Sequence, residues 1–315
     1  MLFPLLSVGA GLVFLAGGAD VLVRGATSVA RRVGITPLVI GLTVVAMATS
    51  LPELLVSLDA AFRGSPGVAL GNVVGSNIAN IGLILGGAAL LGPIGVQAQI
   101  IRIDGPILVG CSALMLAIGA DGTLSRFDGA LLVIGLVTYI VYSIRKSREE
   151  PRADLLQKEF EGGLAKQHAL WLDLLYLGGG LAALLFGADR LVEGAIEIAG
   201  TLGVSDSVVG LTVVAIGTSL PELATSVTAA YRGEGDIAIG NAVGSSIFNL
   251  LGILGLTVLV HPLDTSGFRA LDGLVMAGFA IALLPLLRSG FSLSRREGAA
   301  LVTVYVVYLV SVAVM

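Results

Sequence analysis

Residues 41–86 read GLTVVAMATSLPELLVSLDAAFRGSPGVALGNVVGSNIANIGLILG, and residues 210–255 read GLTVVAIGTSLPELATSVTAAYRGEGDIAIGNAVGSSIFNLLGILG. The two stretches align without a gap at an offset of 169, and 28 of the 46 positions are identical. The same offset pairs Gly18-Ala19-Asp20 with Gly187-Ala188-Asp189, Gly25-Ala26 with Gly194-Ala195, and Gly34 with Gly203. An internal repeat on this scale means that one structural unit has been built twice.

Composition says where the two units reside. The chain has 315 residues, 56% of them hydrophobic and 13% charged. A soluble domain carries about 25% charged residues, so the chain lacks the polar surface a soluble fold of this size needs. Membrane spans of about 20 apolar residues fit it. Hydropathy predicts five per half, near 2–30, 36–62, 67–91, 104–120 and 127–144, then 169–199, 206–231, 236–260, 269–287 and 297–314. The start, Met1-Leu2-Phe3-Pro4, lacks the basic residues of a signal peptide, so the first apolar run is expected to stay as a span.

Five spans is an odd number, so the second half enters the membrane from the opposite side. The expected fold is an all-α polytopic membrane protein with ten transmembrane helices, arranged as two inverted five-helix repeats with broken helices at the ion site. The expected organisation is a first repeat at 1–146, a polar linker at 147–168 and a second, inverted repeat at 169–315. With the N-terminus outside, thirteen Lys and Arg fall on the inner side, six of them in the polar stretch from Arg145 to His168. The outer side holds Arg63, Arg126 and Arg269. The positive-inside rule then predicts both termini outside and the linker in the cytoplasm.

Several functions are disfavoured from the start. One cysteine, Cys111, rules out a disulfide framework, and two histidines, His168 and His261, make a His-based metal centre unlikely as a design. A net charge of −4 suggests no nucleic-acid partner.

The chemistry centres on Glu53 and Glu222, at equivalent points of the repeat and deep in apolar segments. A carboxylate at the centre of a membrane helix costs roughly 3 kcal/mol. Two of them, with no Lys or Arg in the motif, call for a bound cation or protons. Ala46, Thr49, Ser50 and Glu53 fall at i, i+3, i+4 and i+7, one face of a helix, and Ala215, Thr218, Ser219 and Glu222 repeat the pattern. Pro52 and Pro221 remove an amide donor and are expected to bend each helix and free a carbonyl. Hydroxyls, carbonyls and carboxylates make an all-oxygen site, the chemistry of hard cations such as Ca²⁺ and Na⁺.

The second motif, GNVVGSNIAN at 71–80 and GNAVGSSIFN at 240–249, puts Ser76 with Asn80 and Ser245 with Asn249 on one face. Asn80 and Asn249 read as direct ligands, Asn72 and Asn241 as interhelical hydrogen-bond donors. The glycines at 71, 75, 240 and 244 permit a break or close helix packing. Asp20 and Arg24 read as an internal ion pair. Asp189, Arg190, Glu193 and Glu197 read as ion-paired or near the interface. Asp59 reads either as lining an access path or as a solvated helix end. Trp171 reads as an interface anchor, and Cys111 as a small buried residue.

These motifs resemble the α-repeats of the cation/calcium antiporter superfamily, whose best-known members are sodium/calcium exchangers. The compact prokaryotic members look closest. The resemblance implies that Glu53 and Glu222 are the central carboxylates shared by Ca²⁺ and Na⁺. Thr49, Ser50, Thr218 and Ser219 would add oxygens, Ala46 and Ala215 backbone carbonyls, Ser76 and Ser245 outlying Na⁺ ligands, and Asn80 and Asn249 the middle of the cluster. It also implies no cofactor, contact with membrane lipid, a monomer, and the plasma or inner membrane of a prokaryote. The first and sixth spans would slide across the other eight helices. One departure stands out: the potassium-dependent branch has aspartate where this chain has Asn249, which argues against potassium dependence. The implied activity is Na⁺/Ca²⁺ exchange that extrudes Ca²⁺. The alternatives are Ca²⁺/H⁺ exchange and, more distantly, a cation channel. No Ser/His or paired-Asp arrangement suggests an enzyme.

Overall fold

The computed structural model describes residues 2–149, 169–201 and 215–314. Most of the linker at 147–168 and the opening of the seventh span therefore lie outside the described residues, as do Gly203 and His168.

The chain begins with helix α1 (Leu2–Val33), and Gly34 turns it with φ +66°. The second span is α2 (Pro37–Thr49) followed by α3 (Leu51–Phe62), bent by 45° at Ser50. Thr36 caps α2, its side chain accepting from the Val39 amide at 3.4 Å, and Pro37 stands in the first turn, where a missing amide hydrogen costs nothing. Pro52 sits in the first turn of α3, so the break falls where the proline cannot bond to the turn before it. Helices α4 (Pro66–Leu91), α5 (Ile100–Asp121) and α6 (Arg126–Arg148) complete the first half. The second half comprises α7 (Leu170–Thr201), α8 (Ala215–Thr218), α9 (Leu220–Tyr231), α10 (Gly235–Val260), α11 (Ala270–Arg288) and α12 (Arg295–Val314).

Among the described residues, seven helices are long and apolar enough to cross a membrane, and the bent α2–α3 pair makes an eighth. The other two predicted spans correspond to α12 and to the element ending at Tyr231. The protein is an all-helical, multi-pass membrane fold built of two inverted repeats. Its inversion is visible in two short antiparallel ladders. β1 (Ile94–Gly95) pairs with β4 (Ser292–Leu293), and β2 (Thr123–Leu124) with β3 (Leu263–Asp264). The offset of 169 carries the first ladder onto the second, residue for residue. The β1–β4 ladder lies at the end of the bundle where the linker attaches; its mate lies at the far end.

Burial separates the helices into a centre and a shell. The α4 and α10 spans are 78% and 83% buried, whereas α1, α5, α6, α7 and α11 are 22–39% buried. The shell shows residues such as Phe127, Ile134 and Val307 outward, as helices facing lipid do. Helices α1 and α7 lie antiparallel in backbone contact. Gly11, Gly18 and Gly25 face Gly187, Gly180 and their neighbours at seven-residue spacing, with Gly194 extending the stripe. A Cβ at any of the six would stand 2.6–2.9 Å from the partner helix, so only glycine allows this approach. At the linker end the pair is braced by the buried Asp173, which accepts from Ser28 Oγ at 2.7 Å and Arg32 Nε at 2.9 Å.

The outer charges are held in ion pairs. Asp59 pairs with Arg63 at 2.7 Å on an exposed surface, as a solvated helix end does. Asp20 pairs with Arg24 at 2.9 Å, as expected, and also with Arg232.

Candidate cation site

The repeated motifs meet at the centre of the bundle. Glu53 and Glu222 are each 1% exposed, and each sits in the first turn after its helix break. The hydrogen bonds cross between repeats: Ser50 Oγ donates to Glu222 Oε1 at 2.8 Å, and Ser219 Oγ donates to Glu53 Oε1 at 3.1 Å. Thr218 lies within hydrogen-bonding reach of Glu53, and Thr49 of Glu222. Each half thus supplies the hydroxyls for the other half's carboxylate.

One oxygen of each pair is left over. Glu53 Oε2, Glu222 Oε2, both side-chain polar atoms of Asn80 and Asn249 Oδ1 are buried with no hydrogen-bond partner. A buried polar atom left unpaired costs about 1–3 kcal/mol, and five of them belong to four side chains singled out by sequence. Helix geometry reinforces this. At Asn80–Leu85 and again at Asn249–Ile253 the helix widens to π-helical turns, which recur at functional sites. Each widened turn begins at the asparagine.

The remaining predicted residues divide cleanly. Thr49, Ser50, Ala46 and Ser245 are fully buried, and Ser76 and Ser219 nearly so. The Ala46 carbonyl accepts from Ser245 Oγ at 3.5 Å, so these two also meet across the repeats. Ala215 opens α8. Among the described residues no group of three or more His, Cys, Asp or Glu gathers anywhere. The site is two carboxylates set among hydroxyls, amides and carbonyls. A cavity of about 470 Å³ lies elsewhere, at the linker end between Pro37, Gln97, Glu234 and Asp236.

Asn72 and Asn241 behave as read. Asn72 Nδ2 donates to the Glu53 carbonyl at 2.9 Å and to Ser57 Oγ at 2.8 Å. Asn241 Nδ2 donates to the Glu222 carbonyl at 3.3 Å and to Ser226 Oγ at 2.9 Å. Asn241 Oδ1 also accepts from Thr49 Oγ1 at 3.2 Å. Ser57 and Ser226 escaped the sequence reading. The signal was present, because both copies keep a serine one turn past the glutamate. Thr225, also missed, is buried with Oγ1 unpartnered; its mate in the first repeat is Val56, so the repeat gave no hint of it.

This arrangement is shared with known proteins. The family model described as sodium/calcium exchanger protein matches residues 3–145 and 172–314. The chain belongs to the sodium/calcium exchanger family. It is 40% identical to the putative antiporter CaxA of Alkalimonas amylolytica over 98% of each chain. It is 37% identical to the sodium/calcium exchanger MaX1 of Methanosarcina acetivorans over 95% of each. A solved structure of the sodium-calcium exchanger NCX_Mj, soaked with 10 mM Na⁺ and no Ca²⁺, superposes with a TM-score of 0.85 at 32% identity, covering 98% of this chain and 99% of that one. The family is one of multi-pass membrane transporters that exchange cations.

Proposed function

We propose that this protein is a secondary-active Na⁺/Ca²⁺ antiporter. It extrudes Ca²⁺ down the inward Na⁺ gradient by alternating access, as a monomer in the cell membrane of a prokaryote, and needs no K⁺. The observation that carries the reading is the set of orphaned acceptors at Glu53, Glu222, Asn80 and Asn249. Hard cations take such oxygens. The names of the relatives, one of them a sodium/calcium exchanger, point to the same pair of ions.

In this reading Glu53 and Glu222 bind both cargoes. Thr49, Ser50, Thr218, Ser219 and the carbonyls of Ala46 and Ala215 complete the shell, with Ser76 and Ser245 at outlying Na⁺ positions. The two carboxylates carry formal charge −2, which one Ca²⁺ balances. Three Na⁺ leave +1, so a three-for-one exchange moves net charge across the membrane. Both termini lie outside and the linker of 147–168 in the cytoplasm, joining repeats at 1–146 and 169–315. The basic residues favour this orientation.

The test is ⁴⁵Ca²⁺ uptake into proteoliposomes loaded with Na⁺ and diluted into Na⁺-free buffer, with K⁺- and Li⁺-loaded controls at matched pH. Uptake is expected only with internal Na⁺, and Glu53→Gln or Glu222→Gln is expected to abolish it. Uptake that ignores Na⁺ and follows an imposed pH gradient would make the two glutamates proton carriers and the protein a Ca²⁺/H⁺ antiporter. Passage of Ca²⁺ without any counter-ion would make it a channel.

A further inference from the structure

Asp20 of α1 holds two arginines at once. Arg24 lies one turn along its own helix at 2.9 Å, and Arg232 is the first residue past α9. Arg232 thereby ties the α1/α7 pair to the rest of the second repeat at the linker end. The offset of 169 carries Asp20 to Asp189 and Arg232 to Arg63. These mates are not joined. Asp189 is held at 2.7 Å by Arg190, which also reaches Glu193 at 2.6 Å, and Arg63 is held at 2.7 Å by Asp59. The sequence encodes the bridge twice, and the structure closes it once.

A second observation has the same sense. At the linker end the backbone of α2 lies on Gly240 and Gly244, where a Cβ would stand 2.7 and 2.5 Å from the Leu38 and Leu42 carbonyls. Among the described residues, the mates Gly71 and Gly75 have nothing within 4 Å; the mates of Leu38 and Leu42, Ser207 and Leu211, lie outside the described residues. Val68 is 57% exposed, and its mate Ile237 is 0% exposed. Among the described residues, one end of the bundle is packed where its symmetric counterpart is exposed.

We infer that Asp20–Arg232 and Asp189–Arg63 are alternately made ion bridges of the transport cycle, the first closing the linker end and the second closing the far end. In an inverted repeat the two halves exchange conformations between the two access states, so a bridge made by one copy now is made by the other copy later. The proposal rests on the alternating-access reading above. It also explains a difference between the copies. Arg63 has a competing acid one turn back, Asp59, where Arg232 has Thr228; Asp189 has an adjacent Arg190, where Asp20 has Val21. The far-end bridge competes with the Asp59–Arg63 pair, which has no counterpart at Arg232, and this tilts the protein toward the state seen here.

The test uses the full chain with Cys111→Ala as background and a single reporter, Val68→Cys or Ile237→Cys, labelled with a hydrophilic maleimide. Arg232→Gln is expected to slow labelling at position 68 and speed it at 237 by about two- to fivefold, the range of an exposed ion pair. Asp59→Thr gives Arg63 the surroundings of Arg232 and is expected to shift labelling the same way. It changes an exposed residue, so it tests the proposal even if Arg232→Gln folds poorly. Adding Arg63→Gln to Asp59→Thr is expected to restore parental labelling. Unchanged labelling in Asp59→Thr, or a shift that persists without Arg63, would overturn the bridges. The antiport reading has its own readout in Na⁺-driven ⁴⁵Ca²⁺ uptake by the parent. If that fails while the labelling shifts occur, the bridges stand and the choice of ions falls.

Discussion

The α4 and α10 helices carry nearly the same motif and meet different fates. Residues 237–249 of α10 are buried without interruption, and Gly240 and Gly244 lie against the backbone of α2. In α4 the stripe of Val68, Gly71, Asn72 and Gly75 is exposed or half-exposed. Sequence symmetry of this kind does not require the two copies to look alike at one moment. In the proposed alternating-access cycle each must be able to look like the other, and a glycine that meets nothing among the described residues is then a contact kept small for the other state.

The glycines give the largest expected difference between the copies. Gly244→Ala puts a Cβ 2.5 Å from the Leu42 carbonyl oxygen. Overpacking of this kind costs about 1–3 kcal/mol, expected as a lowered unfolding temperature in detergent. Gly75→Ala meets nothing among the described residues and is expected to leave the unfolding temperature unchanged or slightly raised, since alanine favours a helix over glycine. In the proposed cycle its cost falls on the opposite access state, where Gly75 would take the place Gly244 holds now. Exchange is expected to drop about tenfold or more while Ca²⁺ binding persists, since 1.4 kcal/mol against one state is a factor of ten in its population. Equal losses of stability in the two variants would mean that the faces are packed alike, and the comparison would break.

Much of this was legible in the sequence because it is written in local pattern. The spans, the break before Pro52, the meeting of Glu53 with Glu222 and the hydrogen bonds of Asn72 and Asn241 follow from periodicity, proline chemistry and the repeat. The crossed bonds were not legible. Ser50 and Glu222 are 172 residues apart, and nothing local says whether a serine serves its own glutamate or the other one. The seven-residue stripe through Gly11, Gly18 and Gly25 was in plain view, yet its meaning depends on α7 lying antiparallel to α1. Which end of the bundle is packed was not legible either, because it turns on contacts distant in sequence, such as that of Asp20 with Arg232, 212 residues apart.

The asparagines give a smaller difference. Asn241→Ala removes the bonds to Ser226 Oγ, the Glu222 carbonyl and Thr49 Oγ1 in a buried setting, at about 1–3 kcal/mol in all; Thr49 Oγ1 keeps the Val45 and Ala46 carbonyls and Ser226 Oγ the Ala238 carbonyl. Asn72 makes the equivalent bonds to Ser57 and the Glu53 carbonyl but is half-exposed, so water can replace its amide. Its alanine variant is expected to cost under about 1 kcal/mol. Thermal unfolding of the two variants side by side measures the gap, and a reversed order would mean that water does not reach α4.

The serines are expected to differ least, and that equality is as informative as the differences. Ser50 and Ser219 are buried, and each donates one bond to the carboxylate of the opposite repeat, at 2.8 and 3.1 Å. Both bonds lie at the crossing of the repeats, where exchanging the halves maps the site onto itself. In the proposed cycle a residue there keeps its partner in both access states, whereas Gly75 and Gly244 trade theirs. Ser50→Ala and Ser219→Ala each remove a bond to a charged acceptor, worth about 1.5–3 kcal/mol, and are expected to weaken cation affinity by similar factors. Isothermal titration with Ca²⁺ on both variants makes the comparison. A gap of more than about tenfold, or 1.4 kcal/mol, would mean that the centre is as asymmetric as its two mouths. The two carboxylates would then be bound to different tasks in the cycle.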